Sequence, residues 1–276
     1  LFFKILFRLA MRLSQVTSRI NIGVGKSICY DLSGEGPTVC LMSTLAGSWF
    51  SQVQRLRERY TVLTYDMRGF GRSVGESPYY PSNEEHSEDL QLILDKLGLN
   101  SVVLVGLSHG GAVSQHFAFQ YPQYLKGLSI VSSFAKPSGS TSIFLNLLHG
   151  FLVRNDLDNF WEVLRAFLYS EKNIPKMMKK EKALKRLMFN QYDSNSLEHI
   201  YACSLSHDTT NMLPAINLPT LVVGGKEDLL FPPRITNEIS SLIPNSTEIL
   251  METAHIPPVE SPDVFLEILE DFMESL

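Results

Sequence analysis

Short apolar runs alternate along most of this chain with longer segments whose apolar positions recur every third or fourth residue. The short runs at 38–42, 60–65, 102–105, 125–131, 220–223 and 247–251 read as buried strands. They are rich in Val, Leu and Ile, too short for helices, and bounded by turn residues. Residues 20–23 and 27–32 read as a hairpin pair, with Ser33-Gly34-Glu35-Gly36-Pro37 as the following turn. Helical spacing marks 50–60, 112–121, 234–242 and 262–273. A further helix opens at Ser82, which precedes Glu85 in a capping-box pattern; Leu90, Leu92, Ile93 and Leu97 keep its period and Gly98 stops it. For the last helix, Ser261 is the expected N-cap and Pro262 its first residue.

The strand–helix rhythm breaks between 136 and 213, which reads as several helices with no strand among them. Alternating strands and helices imply an α/β fold, a mostly parallel sheet covered on both faces. The all-helical stretch then reads as a cap over the strands' carboxyl ends, where open α/β sheets bind ligands. The expected organisation is an N-terminal extension at 1–18, a core built from 19–135 and 214–276, and a helical cap insertion at 136–213.

The extension is apolar through Leu13 apart from Lys4, Arg8 and Arg12, a basic stripe on a helix. It is too short and too charged to span a bilayer and lacks a small-residue cleavage site. It reads as a helix docked on its own domain or on a second copy, with membrane-surface or partner docking as the alternative.

Composition narrows the function classes. The 276 residues are 44% hydrophobic and 19% charged, enough apolar material for a sizeable core. A net charge of -5 argues against a nucleic-acid surface. Cys29, Cys40 and Cys203 are too few and too scattered for a disulfide framework or a zinc site, which points to a reducing, cytoplasmic setting.

The chemistry centres on Gly106-Leu107-Ser108-His109-Gly110, placed directly after the buried run at 102–105 and before a helix. A serine on a sharp strand-to-helix turn exposes its hydroxyl, and flanking glycines avoid collisions with neighbouring backbone; this is the context of a nucleophile elbow. Serine needs a base within hydrogen-bond reach, and the base needs an orienting carboxylate. Of the seven histidines, His255 directly follows the strand at 247–251. Asp228 follows the strand at 220–223, with Glu227 beside it as the alternative acid. His86, His116, His149, His199 and His207 have no evident catalytic partner and default to structural or surface roles. No His/Asp/Glu cluster has metal-ligand spacing, and the chemistry calls for no cofactor.

Four motifs in order carry a resemblance: Tyr65-Asp66-Met67-Arg68-Gly69-Phe70-Gly71-Arg72-Ser73, the turn at Ser108, the Asp228 loop with Phe231-Pro232-Pro233 behind it, and the His255 loop with Glu260-Ser261-Pro262 behind that. Over residues 20–276 the chain resembles an α/β-hydrolase with a helical cap. The resemblance implies a catalytic triad in the order Ser108, Asp228, His255 and an oxyanion hole from the backbone N–H of His109 and of a residue after the third strand. Alignment on Gly47-Ser48-Trp49 puts Leu45 at that second position. The stretch lacks the His-Gly of many relatives, and its Ser43-Thr44-Leu45 is similar to the run in enol-lactone hydrolases. Asp66 and Arg68 are expected to fix the loop after their strand.

The expected activity is hydrolysis of an apolar ester, lactone or thioester. Carbon–carbon bond hydrolysis, acyl transfer, perhydrolysis or a non-catalytic small-molecule receptor are the alternatives. Ser43, Thr44 and Trp49 beside the oxyanion hole, with Phe144 and Trp161 from the cap, are the expected pocket residues. The basic stretch Lys176, Lys179, Lys180, Lys182, Lys185 and Arg186 reads as a solvated helix face or as a dock for an acidic carrier protein.

Overall fold

The computed structural model describes residues 18–24, 26–43, 49–73, 80–179, 181–191 and 194–276. The N-terminal extension through residue 17 lies outside the described residues, as does Lys180. Strands β1 (Ser18–Gly23), β2 (Lys26–Ser33), β3 (Thr38–Met42), β4 (Thr61–Tyr65), β5 (Val102–Leu107), β6 (Leu125–Val131), β7 (Thr220–Gly225) and β8 (Ser246–Met251) form one sheet. Its order among the described residues is β1-β2-β4-β3-β5-β6-β7-β8. β1 and β2 pair antiparallel, as do β2 and β4, and every later pairing is parallel. The parallel section therefore sends the loops after β5, β7 and β8 out of the same sheet edge.

Side chains along a strand alternate between faces, and the two cores follow that alternation. Val102 and Leu104 of β5 enter one core. Helices α2 (Asn83–Leu97) and α3 (His109–Gln120) close it with Leu90, Ile93, Leu94, Val113 and Phe117. Val103, Val105 and Leu107 enter the other. There α1 (Phe50–Leu56) contributes Leu56, and α11 (Pro262–Glu274) contributes Phe265, Leu266, Leu269 and Met273. α9 (Pro233–Leu242) packs along β7 and β8, and the short α10 (Pro257–Glu260) lies before α11.

The capping box forms as read. Ser82 Oγ accepts from the Glu85 N–H, the Glu85 carboxylate accepts from the Ser82 N–H at 2.9 Å, and Gly98 closes α2 at φ 66°. Three local readings are corrected. α1 ends at Leu56, where residues 57–60 unwind into turns that still return the Tyr60 N–H to the Leu56 carbonyl. α3 begins at His109, immediately after the elbow, because Ser108 itself makes the break. Ser261 stands at the N-cap of α11 but its side chain makes no capping bond; the Phe265 N–H meets the Ser261 carbonyl instead.

Between β6 and β7 the chain runs through α4 (Gly139–Val153), α5 (Leu157–Leu168), α6 (Ile174–Met178), α7 (Glu181–Gln191) and α8 (Ser194–Ser206). Leu148, Leu152, Phe160, Trp161, Leu164 and Ile200 of these helices belong to the same cluster as Val102 and Leu104, so the cap is continuous with one core. No helix among the described residues is long and apolar enough to cross a membrane.

Histidines gather at the base of the cap. His207 Nδ1 accepts from Asn83 Nδ2 at 3.2 Å and stands 3.3 Å from His116 Nε2, while His199 bonds the Pro81 carbonyl at 2.8 Å. His86, His109, His116 and His207 are all buried. Burial, reinforced by neighbouring imidazoles, holds His109 and His207 down to about 3. Burial depresses His86 as well, with His109, Arg68 and His199 adding to it. It also lowers His116, partly offset by Glu84. At neutral pH these rings pack as uncharged amphipathic plates, which reconciles them with a core. Beside them Arg68 grips Asp89 of α2 through two bonds of 2.7 and 3.2 Å, at 9% and 3% side-chain exposure, and Asp66 accepts from Arg72 at 2.7 Å. Both pairs fix the loop after β4.

Two outcomes are expected. Replacing Asp89 with Ala removes the carboxylate from a buried guanidinium and should cost about 3–5 kcal/mol in urea denaturation. The unfolded chain titrates histidine near 6.5, above the folded values of about 3, and so binds more protons between these limits. Stability should therefore be fully present above that upper limit and fall as the pH drops toward the lower one. The urea midpoint should follow this course, with a shallower slope in His207→Gln.

Candidate active site

Ser108 leaves β5 with φ 56° and ψ −119°, a left-handed conformation that a residue with a side chain adopts at a cost. Its N–H donates to the Val131 carbonyl at 2.9 Å, tying the turn to the next strand. The turn is also pressed against β3. A Cβ on Gly110 would lie 2.4 Å from the Met42 carbonyl oxygen, and one on Gly106 would lie 2.5 Å from the Gly110 carbonyl oxygen. Neither position has room for a side chain.

His255 brings Nε2 to 3.1 Å from the Ser108 hydroxyl and Nδ1 to 2.9 Å from Asp228 Oδ2. An ionised carboxylate can only accept, so Nδ1 carries the proton and Nε2 is left as the acceptor facing the serine O–H. The other Asp228 oxygen accepts from the Leu230 and Phe231 N–H groups at 2.9 and 2.8 Å. The carboxylate is thereby locked, and both Asp228 and His255 are buried. Glu227 is turned elsewhere, its carboxylate accepting from the Glu171 N–H of the cap at 2.9 Å. The loops of Asp228 and His255 touch: a Cβ on Gly225 would lie 2.0 Å from the Ala254 carbonyl oxygen.

His109 is the first residue of α3, so its N–H has no carbonyl four residues back within the helix and stands at the positive end of the helix dipole. Its buried ring lines the cavity above Ser108. Leu45 and Thr44 lie outside the described residues.

A cavity that opens to solvent at its mouth lies over Ser108. Its floor is Ser43, Leu107, Ser108, His109, His255 and Ile256, with Phe134, Leu230 and Phe231 at the side. The roof comes from the cap: Leu145, Leu164, Leu168, Met188, Leu197, Ile200, Tyr201 and Ser204. Ser43 is thus placed in the wall, whereas three expected pocket residues are not. Trp49 packs with its ring centroid 6.0 Å from that of Phe265, in the core on the other face of the sheet. Phe144 turns to Phe167, 4.1 Å between centroids, and Trp161 meets Phe189 edge-on at 6.4 Å. For the two cap aromatics, smaller aliphatic neighbours on the same helix reach the cavity instead: Leu145 beside Phe144, and Leu164 and Leu168 beside Trp161. The wall residues missed in the sequence, Leu197, Ile200, Tyr201 and Ser204, repeat at helical spacing on α8. Among the described residues no cluster of His, Cys, Asp or Glu is placed to hold a metal ion. In the basic stretch, Lys185 pairs with Asp158 of the cap itself while Lys176, Lys179, Lys182 and Arg186 are solvated, so an acidic carrier gains no support.

Comparisons with known proteins show what the chain as a whole is similar to. A family model described as alpha/beta hydrolase fold matches residues 37–262. Lipase 1 of Psychrobacter immobilis is 30% identical over 255 residues, covering 88% of this chain and 80% of that protein. RutD of Pantoea ananatis, named for carbamate hydrolysis, is 26% identical over 249 residues, covering 88% and 90%. MGS-M2, an alpha/beta hydrolase enzyme from a Medee basin deep-sea metagenome library, superposes with a TM-score of 0.84 at 22% identity, covering 93% of this chain and 97% of that one. The match spans most of the sheet, the elbow and the loops of Asp228 and His255, and on that basis the chain belongs to the α/β-hydrolase family of enzymes.

Proposed function

We propose that this enzyme cleaves an apolar carboxylic ester, lactone or thioester through an acyl-enzyme on Ser108. The observation that carries the reading is the unbroken chain Asp228–His255–Ser108, with contacts of 2.9 and 3.1 Å, at the floor of an apolar cavity. His255 Nε2 takes the serine proton as Oγ attacks the substrate carbonyl. Asp228 holds the imidazole tautomer and stabilises its charged form. Negative charge builds on the carbonyl oxygen beside the His109 N–H, with Leu45 as the expected second donor; one such donor lowers the barrier by about 3 kcal/mol. His255 then returns the proton to the leaving alcohol or thiol. Water attacks the acyl-enzyme by the same route and releases the acid and free Ser108.

The wall favours an acyl group without charge. Its cap side is aliphatic apart from Tyr201 and Ser204, and Ser204 already bonds the Ile200 carbonyl. The similarity to RutD favours a second reading, attack on a carbamate carbonyl by the same triad. Against it, the aliphatic roof offers a small polar carbamate few polar partners.

Two measurements test the reading. A fluorophosphonate probe should label wild-type Ser108 and not Ser108→Ala, whose turnover should fall by about 10⁶-fold with the fold retained. Asp228→Asn should lose about 10⁴-fold in kcat, and near-full activity in Ser108→Ala would overturn the assignment. Across p-nitrophenyl esters, kcat/KM should rise by up to about fourfold per methylene, roughly 0.8 kcal/mol, until the cavity is full. Leu197→Trp should move that limit to shorter chains, and a flat series with faster carbamate turnover would favour the second reading.

A further inference from the structure

Glu260 lies outside the proposed triad, yet its carboxylate bonds both the loop that carries His255 and the cap. Its Oε1 accepts from the Ala254 N–H at 2.7 Å, one residue before His255. Its Oε2 accepts from the Ser170 N–H at 2.9 Å, the Ser170 hydroxyl and Asn173 Nδ2 at 2.9 Å. Ser170 and Asn173 belong to the cap turn between α5 and α6. The same turn reaches the acid loop through the Glu171 N–H on Glu227, and the Lys172 ammonium bonds the Glu252 carbonyl at 2.6 Å.

The Ala254 peptide is consequently gripped on two sides. Its N–H is held by Glu260, and its carbonyl abuts Gly225, where a Cβ would come within 2.0 Å. Shifting this peptide would swing the imidazole attached to the next residue. We propose that Glu260 is a positioning residue that couples seating of the cap to placement of His255 against Ser108. The proposal rests on the triad reading given above. Four donors among the described residues face this side chain, an N–H on each side of it, which suits a carboxylate and not an amide: an NH₂ group turned to either side would oppose an N–H with an N–H. Seating the cap thus completes the base's support, and the cap does more than enclose an acyl chain.

The test uses Glu260→Gln, which keeps the volume but breaks the bonds on one side. Two readouts are taken per folded molecule: the rate of fluorophosphonate labelling at Ser108, and kcat and KM for p-nitrophenyl acetate, whose acyl group is too short to fill the cap side of the cavity. Glu260→Gln should slow labelling and lower kcat by about 10- to 100-fold, the scale of a misplaced catalytic group, with KM within about twofold. The cap-side double variant Ser170→Ala/Asn173→Ala, which keeps the Ala254 bond, should also slow both, and adding it to Glu260→Gln should bring little further loss. Wild-type labelling rates in Glu260→Gln overturn the proposal, as does a loss confined to thermal stability or to KM for long-chain esters. Should Glu260→Gln not fold, an unchanged labelling rate in the cap-side variant overturns it equally. Failure of the wild-type enzyme to label would overturn the triad reading itself, a distinct result.

Discussion

The backbone of Ser108 is the constraint on which the rest depends. At φ 56° it sits where side-chain-bearing residues are strained, and it stays there because its surroundings leave no alternative. The Val131 carbonyl holds its N–H, and β3 presses so closely that Gly110 admits no Cβ. That conformation ends β5 and lets α3 begin at the very next residue, His109. One local conformation thus sets Ser108 and the first N–H of α3 together, the proposed nucleophile and one proposed oxyanion donor.

The sheet supplies the partners. β5, β7 and β8 run parallel, so their following loops emerge on one side, and the loops of Asp228 and His255 meet through the Gly225–Ala254 contact. Asp228 is locked by two backbone donors before it touches His255. The proposed proton relay would therefore be assembled from groups whose orientation is settled by backbone, which limits reorganisation during reaction.

The cap adds enclosure and a second kind of order. Its aliphatic residues form the roof over Ser108, while its base rests on buried, uncharged histidines and on carboxylates beside the Asp228 and His255 loops. Apolar packing and polar tethers have different roles here. The first shapes the cavity, and the second registers the cap on the loops that carry Asp228 and His255.

The chain by itself determined the alternation of strands and helices, the interruption for the cap, the capping box at Ser82 and the order of Ser108, Asp228 and His255. These are local or sequential properties: apolar period, turn chemistry and the glycines flanking one serine. Only the tertiary structure decided which cap residues face the cavity. Large aromatics such as Phe144 and Trp161 were attractive in the sequence, yet they pack against Phe167 and Phe189 and leave the wall to Leu145, Leu164 and Leu168. A helical period tells that a face is apolar but not which neighbour covers it. The histidine cluster and the Glu260 clasp were invisible for the same reason. His116 and His207, or Ser170 and Glu260, stand 91 and 90 residues apart in sequence, and nothing short of folding brings a donor that far to its acceptor.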